Sequence, residues 1–229
     1  MSQFFPKSKA LYTIVILLTI VVGEMVLHPN HWDTWPAFMC MVFFFCVHRD
    51  FKQAPNILIG GAFGILQIYL IKLWYAVAVP MFGGDMSKYT DPHTQHALFT
   101  SKLIYILVFV FFIVLLKDAI PLLFNDFTFM FFIAAGIAAG AHTNIAVAAK
   151  TVAAYANGVA EATGNQELIT AMQGATAKAL ESVIPVTNVW EWMAICIVGG
   201  GLIILSLHYG GVLVAKIMGV SSPPPPAHH

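Results

Sequence analysis

The hydrophobic stretches of this chain fall into two groups of three that share one plan. Each group has a long apolar run, an acidic turn, a short aromatic segment and a longer glycine-bearing run. An odd number of spans per group sends the second copy into the membrane from the opposite face. That is the mark of an inverted repeat, a plan of transporters and channels that bind solute where the halves meet. The pattern predicts an all-α integral membrane protein with six transmembrane helices in an inverted 3+3 repeat. Charged residues make up 10% of the chain and hydrophobic residues 59%, whereas a soluble domain carries about 25% charge. The charges balance at zero, which gives no reason to expect a nucleic-acid partner.

The spans are expected at residues 10–27, 34–48, 56–80, 101–117, 125–142 and 188–216. The first follows Lys7 and Lys9 as a signal peptide would, but no A-x-A site comes after it, and it reads as a retained span. The second is short for a full crossing and suggests a tilted, partly re-entrant or protein-enclosed helix. With the N-terminus inside, the cytoplasmic ends hold Lys7, Lys9, Arg49, Lys52, Lys117 and Lys216. The outer side receives Lys88, Lys102, Lys150 and Lys178 together with Asp33, Asp85, Asp91, Glu161, Glu167, Glu181 and Glu191. By the positive-inside rule both termini are cytoplasmic. Outside the spans, residues 80–100 carry turn signals at Gly83-Gly84-Asp85 and Asp91-Pro92-His93. The alanine-rich stretch 143–185 reads as an extramembrane helical hairpin on the outer face, broken near Thr163-Gly164-Asn165. Residues 1–220 are taken as one membrane domain, with repeats over 10–80 and 101–216. The tail 221–229, with Pro223 to Pro226, should be extended, and His228 and His229 are native or the start of a tag.

The repeat is read from Trp32-Asp33-Thr34-Trp35-Pro36-Ala37-Phe38-Met39 beside Phe124-Asn125-Asp126-Phe127-Thr128-Phe129-Met130, each an acid and aromatics opening a short helix. Glu24 precedes Asp33 much as Asp118 precedes Asp126, and Gly60, Gly61 and Gly64 have counterparts in Gly199, Gly200 and Gly201. Small residues of this kind let membrane helices approach closely. The run from Thr34 to Phe45, Asp50-Phe51-Lys52 and the segment from Asn56 to Gly64 resemble a bacterial inner-membrane family, domain of unknown function 1097. Leu122 to Ala138 and Val189-Trp190 to Val214 fit the same plan. The resemblance implies a six-span inner-membrane topology and no particular chemistry. The long outer insert departs from the compact family pattern.

Several residues are candidates for function. Counting about 1.5 Å per residue, Glu24 and Lys72 lie at one depth in the outer third of the membrane. They would be a solute- or proton-handling pair, a structural ion pair, or an acid with a snorkelling lysine. Asp33 and Asp126 are first of all N-caps, and otherwise acids ringing the two entrances. His208, beside Tyr209, would pack through hydrogen bonds or line a passage. Lys117 and Asp118 read as an interfacial pair, and His142 as the end of the fifth span. Asp91, His93 and His96, with His28 and His31 flanking a nearby turn, are the one combination with metal-ligand character, on a loop that Pro92 keeps from being helical. Cys40, Cys46 and Cys196 fit no zinc or redox spacing and read as small buried side chains. No nucleophile elbow, Walker loop, zincin motif or haem attachment motif occurs, so an enzyme is the minority reading and no cofactor is expected.

The leading expectation is a channel or secondary transporter for a small polar solute, running between the halves. Trp35, Phe38, Phe127 and Phe129 would shape its mouths, and Glu24, Lys72 and His208 would supply polarity. The alternative is a structural or accessory subunit of a larger membrane complex, docking through the outer insert and aromatic helix faces. Both fit a lipid-embedded protein that forms homo-oligomers or binds other membrane subunits. A continuous polar cavity would mark the first, and a dry centre with a partner-facing surface the second.

Overall fold

Apolar sequence in lipid must satisfy its backbone internally, which leaves helices or closed barrels. The computed structural model describes residues 7–30, 32–88, 91–183 and 188–219, and every regular element among them is helical. His31, His228, His229 and the whole proline-rich tail lie outside the described residues, as do the side chains of His28, Lys178 and Glu181. Five helical segments are long and apolar enough to cross a membrane: Lys7–Leu27, Phe51–Met81, Pro92–Leu116, Asp126–Ala162 and Val189–Ile217.

The chain divides into two compact units, Met1–Ile133 with Val189–His229, and Ala134–Asn188. In the first, α1 (Lys7–Leu27) leaves most of its surface uncovered, whereas about half of the apolar stretch of α3 (Ala54–Met81) is buried. The third helix is therefore the central one. Asp50 caps the short 3-10 turn Phe51–Gln53 that leads into it, accepting the backbone N–H of Lys52 at 3.0 Å, and Pro55 lies in the first turn of α3.

The second apolar segment is shorter than its sequence suggests. Helix α2 covers Trp35–Cys46, 12 residues, or about 18 Å against a hydrocarbon core of about 30 Å. It stops because His48 and Arg49 take left-handed backbone angles, φ 55° and 63°, and the Arg49 N–H turns back to Phe44 O at 2.9 Å. Pro36, Ala37, Cys40, Phe43 and Phe44 are buried, so one face of α2 packs on protein, whereas Val42 and Cys46 are exposed, Cys46 against the expectation of a buried thiol. The Arg49 guanidinium lies 4.9 Å from the centre of the Tyr12 ring, and Phe51 stacks on His208 at 4.6 Å. These contacts bring the α2–α3 turn to the Lys7 end of α1.

Helix α4 (Pro92–Leu116) begins nine residues before the expected span. Pro92 does not break it but opens it, at a position whose N–H has no helical partner, and Asp91 caps it by accepting the Thr94 N–H at 3.2 Å. The stretch expected as an irregular loop is therefore partly helix.

Helix α5 (Asp126–Ala162) runs 37 residues without a break at 142, where a span was expected to end and an insert to begin. Alanine continues the helix as well as the preceding Phe and Ile residues do. It ends at Thr163 and Gly164, where Gly164 has φ 67°. Asn165 then caps α6 (Gln166–Val183), its Oδ1 accepting the N–H of Glu167 at 3.0 Å. Within the second unit Thr176 Oγ1 donates to Asn157 Oδ1 at 3.2 Å, and Ala153 and Ala160 are buried.

The last segment is composite. A short α7 (Val189–Ala194) passes into a π-helical turn, Ile195–Gly199, and then α8 (Gly200–Ile217). Helix α8 runs antiparallel to α1: Gly211 faces Tyr12, Gly210 faces Val15, and Ser206 Oγ lies 2.8 Å from Thr19 Oγ1.

Candidate functional site

The glycines decide how closely the helices of the first unit approach. A Cβ on Gly64 would strike the backbone O of Thr128, one on Gly61 would meet the Phe131 ring at 2.7 Å, and one on Gly60 the Asn125 amide at 2.6 Å. The start of α5 is thus seated in the glycine face of α3. On the other side, a Cβ on Gly200 would strike Cys40 Sγ, and one on Gly199 would come within 3.2 Å of Ala37 Cβ. The start of α8 therefore receives α2. Gly201 has only Leu58 nearby, at 3.7 Å.

Between these seats lies a packed aromatic row. Trp192 meets Trp35 edge-on at 5.1 Å, Trp35 lies 6.4 Å from Phe131, and Phe43 lies 5.3 Å from Phe131 and 5.4 Å from Phe127. Rings expected to shape two separate mouths, Trp35 and Phe127, are joined in this one row. Phe38 packs towards Gly23, and Phe129 is half-buried in the first turn of α5. Cys40 and Cys196 are fully buried beside the row, with their sulfurs 3.6 Å apart. The side chains of Trp192, Phe44, Phe131, Ile57 and Ile65 are almost wholly removed from solvent. Apolar side chains fill much of the centre of this unit.

The two acids at the helix mouths do different work from capping. Asp33 accepts the indole N–H of Trp192 at 2.6 Å, while the N-cap position of α2 belongs to Thr34, which makes no side-chain cap bond. Asp126 is the first helical residue of α5 and pairs with Lys117 Nζ at 2.9 Å, with both groups well exposed. The cap is Asn125, whose Oδ1 accepts the Thr128 N–H at 3.0 Å. Its amide nitrogen donates to Pro121 O at 2.8 Å and to Asn56 O at 3.3 Å, which ties the first turn of α5 to the first turn of α3. Lys117 thus takes Asp126 as its partner.

Glu24 and Lys72 do not meet. Among the described residues neither takes part in an ion pair. Lys72 is exposed on α3, which packs on α4 and α7, whereas α1 packs on α8. His208 stacks on Phe51 and touches Tyr209 edge-on at 5.2 Å. Asp91 is occupied as a cap, and His93 and His96 are exposed on the first turns of α4, where His96 Nδ1 lies 3.5 Å from Thr100 Oγ1. Among the described residues no three His, Cys, Asp or Glu side chains are grouped to hold a metal ion. In the loop between α3 and α4, the hydroxyl and backbone N–H of Ser87 both bond Asp85 and hold its carboxyl below the usual range.

Sequence reasoning passed over a second polar node. Gln67, nearly fully buried in α3, accepts the Tyr105 hydroxyl proton at 2.8 Å and donates to Phe63 O at 3.2 Å. Close by, Trp74 donates its indole N–H to Ser101 O at 2.9 Å. A glutamine and an asparagine inside apolar runs are the signal that would have found Gln67 and Asn125, because unsatisfied polar groups are costly there. Among the described residues, Trp35 Nε1 is a buried side-chain donor with no partner.

A recess in the first unit lies between α1 and α8, a groove of about 410 Å³. Its lining includes Val15, Leu18, Val22, Gly23, Ala37, Gly199 and Leu202, and its polar groups are Thr19 and Ser206, bonded to each other. In comparisons with protein-family models, curated proteins and solved structures, the chain matches none of them.

Proposed function

We propose that this protein is a membrane-embedded subunit of a larger protein assembly, held in the bilayer by its first unit and docking through α5. The observation that carries this reading is a second apolar stripe on α5. Ile145, Ala148, Val152, Tyr155, Val159 and Ala162 recur at alternating three- and four-residue steps and are exposed, Tyr155 to 75%. Residues recurring in this way form the seam of a coiled coil, with β-branched side chains at one of its two positions. The neighbouring face, with Ala153 and Ala160, is already buried within the unit. At about 1.5 Å per residue, the helix from Asp126 to Ile145 already equals the roughly 30 Å hydrocarbon core. In water, an uncovered apolar seam of this kind calls for a partner helix. The largely apolar centre of the first unit is in keeping with this role.

The finer topology belongs to the same reading. The α2–α3 turn at the Lys7 end supports six crossings of unequal depth, with both termini on the lysine-rich side, as in a bacterial inner membrane. Reciprocal seating, α5 in the glycines of α3 and α2 in those of α8, supports an inverted repeat. The resemblance to domain of unknown function 1097 would imply the same plan. The repeat also favours a second reading, a conduit for a small polar solute, which solute flux into liposomes would test.

The assembly reading is tested by native mass spectrometry of the full chain extracted in a gentle detergent. A stoichiometric complex, lost on Val152→Lys or Tyr155→Lys while the monomer keeps its thermal stability, is the expected result. A lone monomer from wild type, at every detergent tried, would overturn it.

A further inference from the structure

We propose that the groove between α1 and α8 is a specific site for an anionic phospholipid, with one acyl chain in the groove and the phosphate on Arg49. The groove alone would be an apolar face in lipid; its end makes the difference. The α1 residues lining it, Val15, Thr19, Val22 and Val26, form one stripe whose next member towards the Lys7 end is Tyr12. Over the Tyr12 ring lies the Arg49 guanidinium, at 4.9 Å.

That cation is placed by the fold rather than left to wander. Two successive left-handed residues, His48 and Arg49, turn the chain there, a conformation that non-glycine residues adopt only when their surroundings impose it. The Tyr12 hydroxyl is itself fixed by donation to Leu207 O at 3.4 Å. No carboxylate pairs with Arg49 among the described residues. Lys7 and Lys9 open α1 at this end, Lys52 lies three residues beyond Arg49, and Lys216 ends the antiparallel α8. Asp50 is the acid nearest in sequence, and it accepts the Lys52 N–H. The end of the groove is therefore electropositive and carries a planar donor suited to phosphate oxygens.

The dimensions fit one chain of one leaflet. From Val15 to Leu27 the groove follows α1 for about 18 Å, close to half of the roughly 30 Å hydrocarbon core. Gly23, Ala37 and Gly199 recess part of its lining, and Thr19 and Ser206 satisfy each other, so an acyl chain meets no unpaired polar group. The proposal needs the membrane reading but not the docking stripe on α5, so the monomer suffices to test it.

The test is native mass spectrometry of the full chain titrated with phosphatidylglycerol or with phosphatidylcholine of identical chains. Wild type should retain one phosphatidylglycerol at least tenfold more tightly than phosphatidylcholine. Arg49→Gln should abolish that preference, and Lys52→Gln should keep it. Leu202→Trp, which fills the groove without touching the turn, should weaken both lipids alike and serves if Arg49→Gln does not fold. Inorganic phosphate should fail to displace the lipid. Equal retention of the two lipids by wild type, an unchanged preference in Arg49→Gln, unweakened binding in Leu202→Trp, or displacement by phosphate alone would each overturn the proposal.

Discussion

Replacing Gly64 with alanine probes the seat on which the first unit is built. The added Cβ meets the backbone O of Thr128, with the Phe132 backbone nitrogen at 3.0 Å. Neither atom can rotate away, so α3 and α5 must move apart. Overpacking of this kind costs about 1–3 kcal/mol. Against it stands the roughly 0.5–1 kcal/mol by which alanine improves on glycine within a helix. Because the obstacle is backbone, the upper part of the first range applies, and the net loss should be about 2 kcal/mol. Gly201→Ala is the matched control: its nearest neighbour is the end of Leu58 at 3.7 Å, so it should be neutral or gain up to about 1 kcal/mol. Equilibrium unfolding in mixed micelles, followed by tryptophan fluorescence, measures both. If Gly64→Ala unfolds within about 0.5 kcal/mol of wild type, the close approach of the two helices is not what the packing argument takes it to be.

Trp192→Phe removes a bond to a carboxylate, of a kind worth about 1.5–3 kcal/mol, whereas Trp35→Phe removes a donor that bonds nothing. The first should therefore be the more damaging by at least about 1 kcal/mol, and equal losses in the same unfolding assay would contradict the assigned pairing. Lys117→Met breaks an ion pair whose groups are exposed, and a change above about 1 kcal/mol would be too large for such a pair. The Asp85 carboxyl is held low by Ser87. Its folded pKa lies below the unfolded one, so its contribution is complete at neutral pH and is lost as pH falls through the folded value. Ser87→Ala, which keeps the backbone N–H, should raise it towards about 3.9, as read from carbon-13 chemical shifts, and an unmoved titration would remove the Ser87 hydroxyl as the cause.

The helical, membrane-spanning character was legible because apolar runs of bilayer length have few other solutions. What depended on direction around a helix was not. Glu24 and Lys72 share a depth, but depth is an axial coordinate, and Lys72 turns outward on a different helix from the one that carries Glu24. The acids Asp33 and Asp126 were legible as belonging to helix starts, yet their roles depended on neighbours far along the chain. Trp192 reaches Asp33 across 159 residues, while Asn125, one position before Asp126, takes the cap. Asp91-Pro92 read as a turn because both residues favour turns, although the same pair suits a cap and first helical position. The long α5 went unread because His142, Thr143 and Asn144, which interrupt a hydrophobic run, do not end a helix.

The π-turn at Ile195–Gly199 also sets the phase of everything after it. Restoring ordinary α geometry there with all five residues kept would rotate α8 by roughly 100° and shift it by about 1.5 Å relative to α7. Trp192 would keep its place at Asp33, but Gly200 would swing off Cys40, and Ile203, Ile204 and Leu207 would leave the core together. The five-residue turn is thus a reading-frame marker in three dimensions. Substitutions within it, at Ile197 or Val198 on its exposed side, are local events, whereas tightening the turn to α geometry without removing a residue changes the address of every side chain downstream.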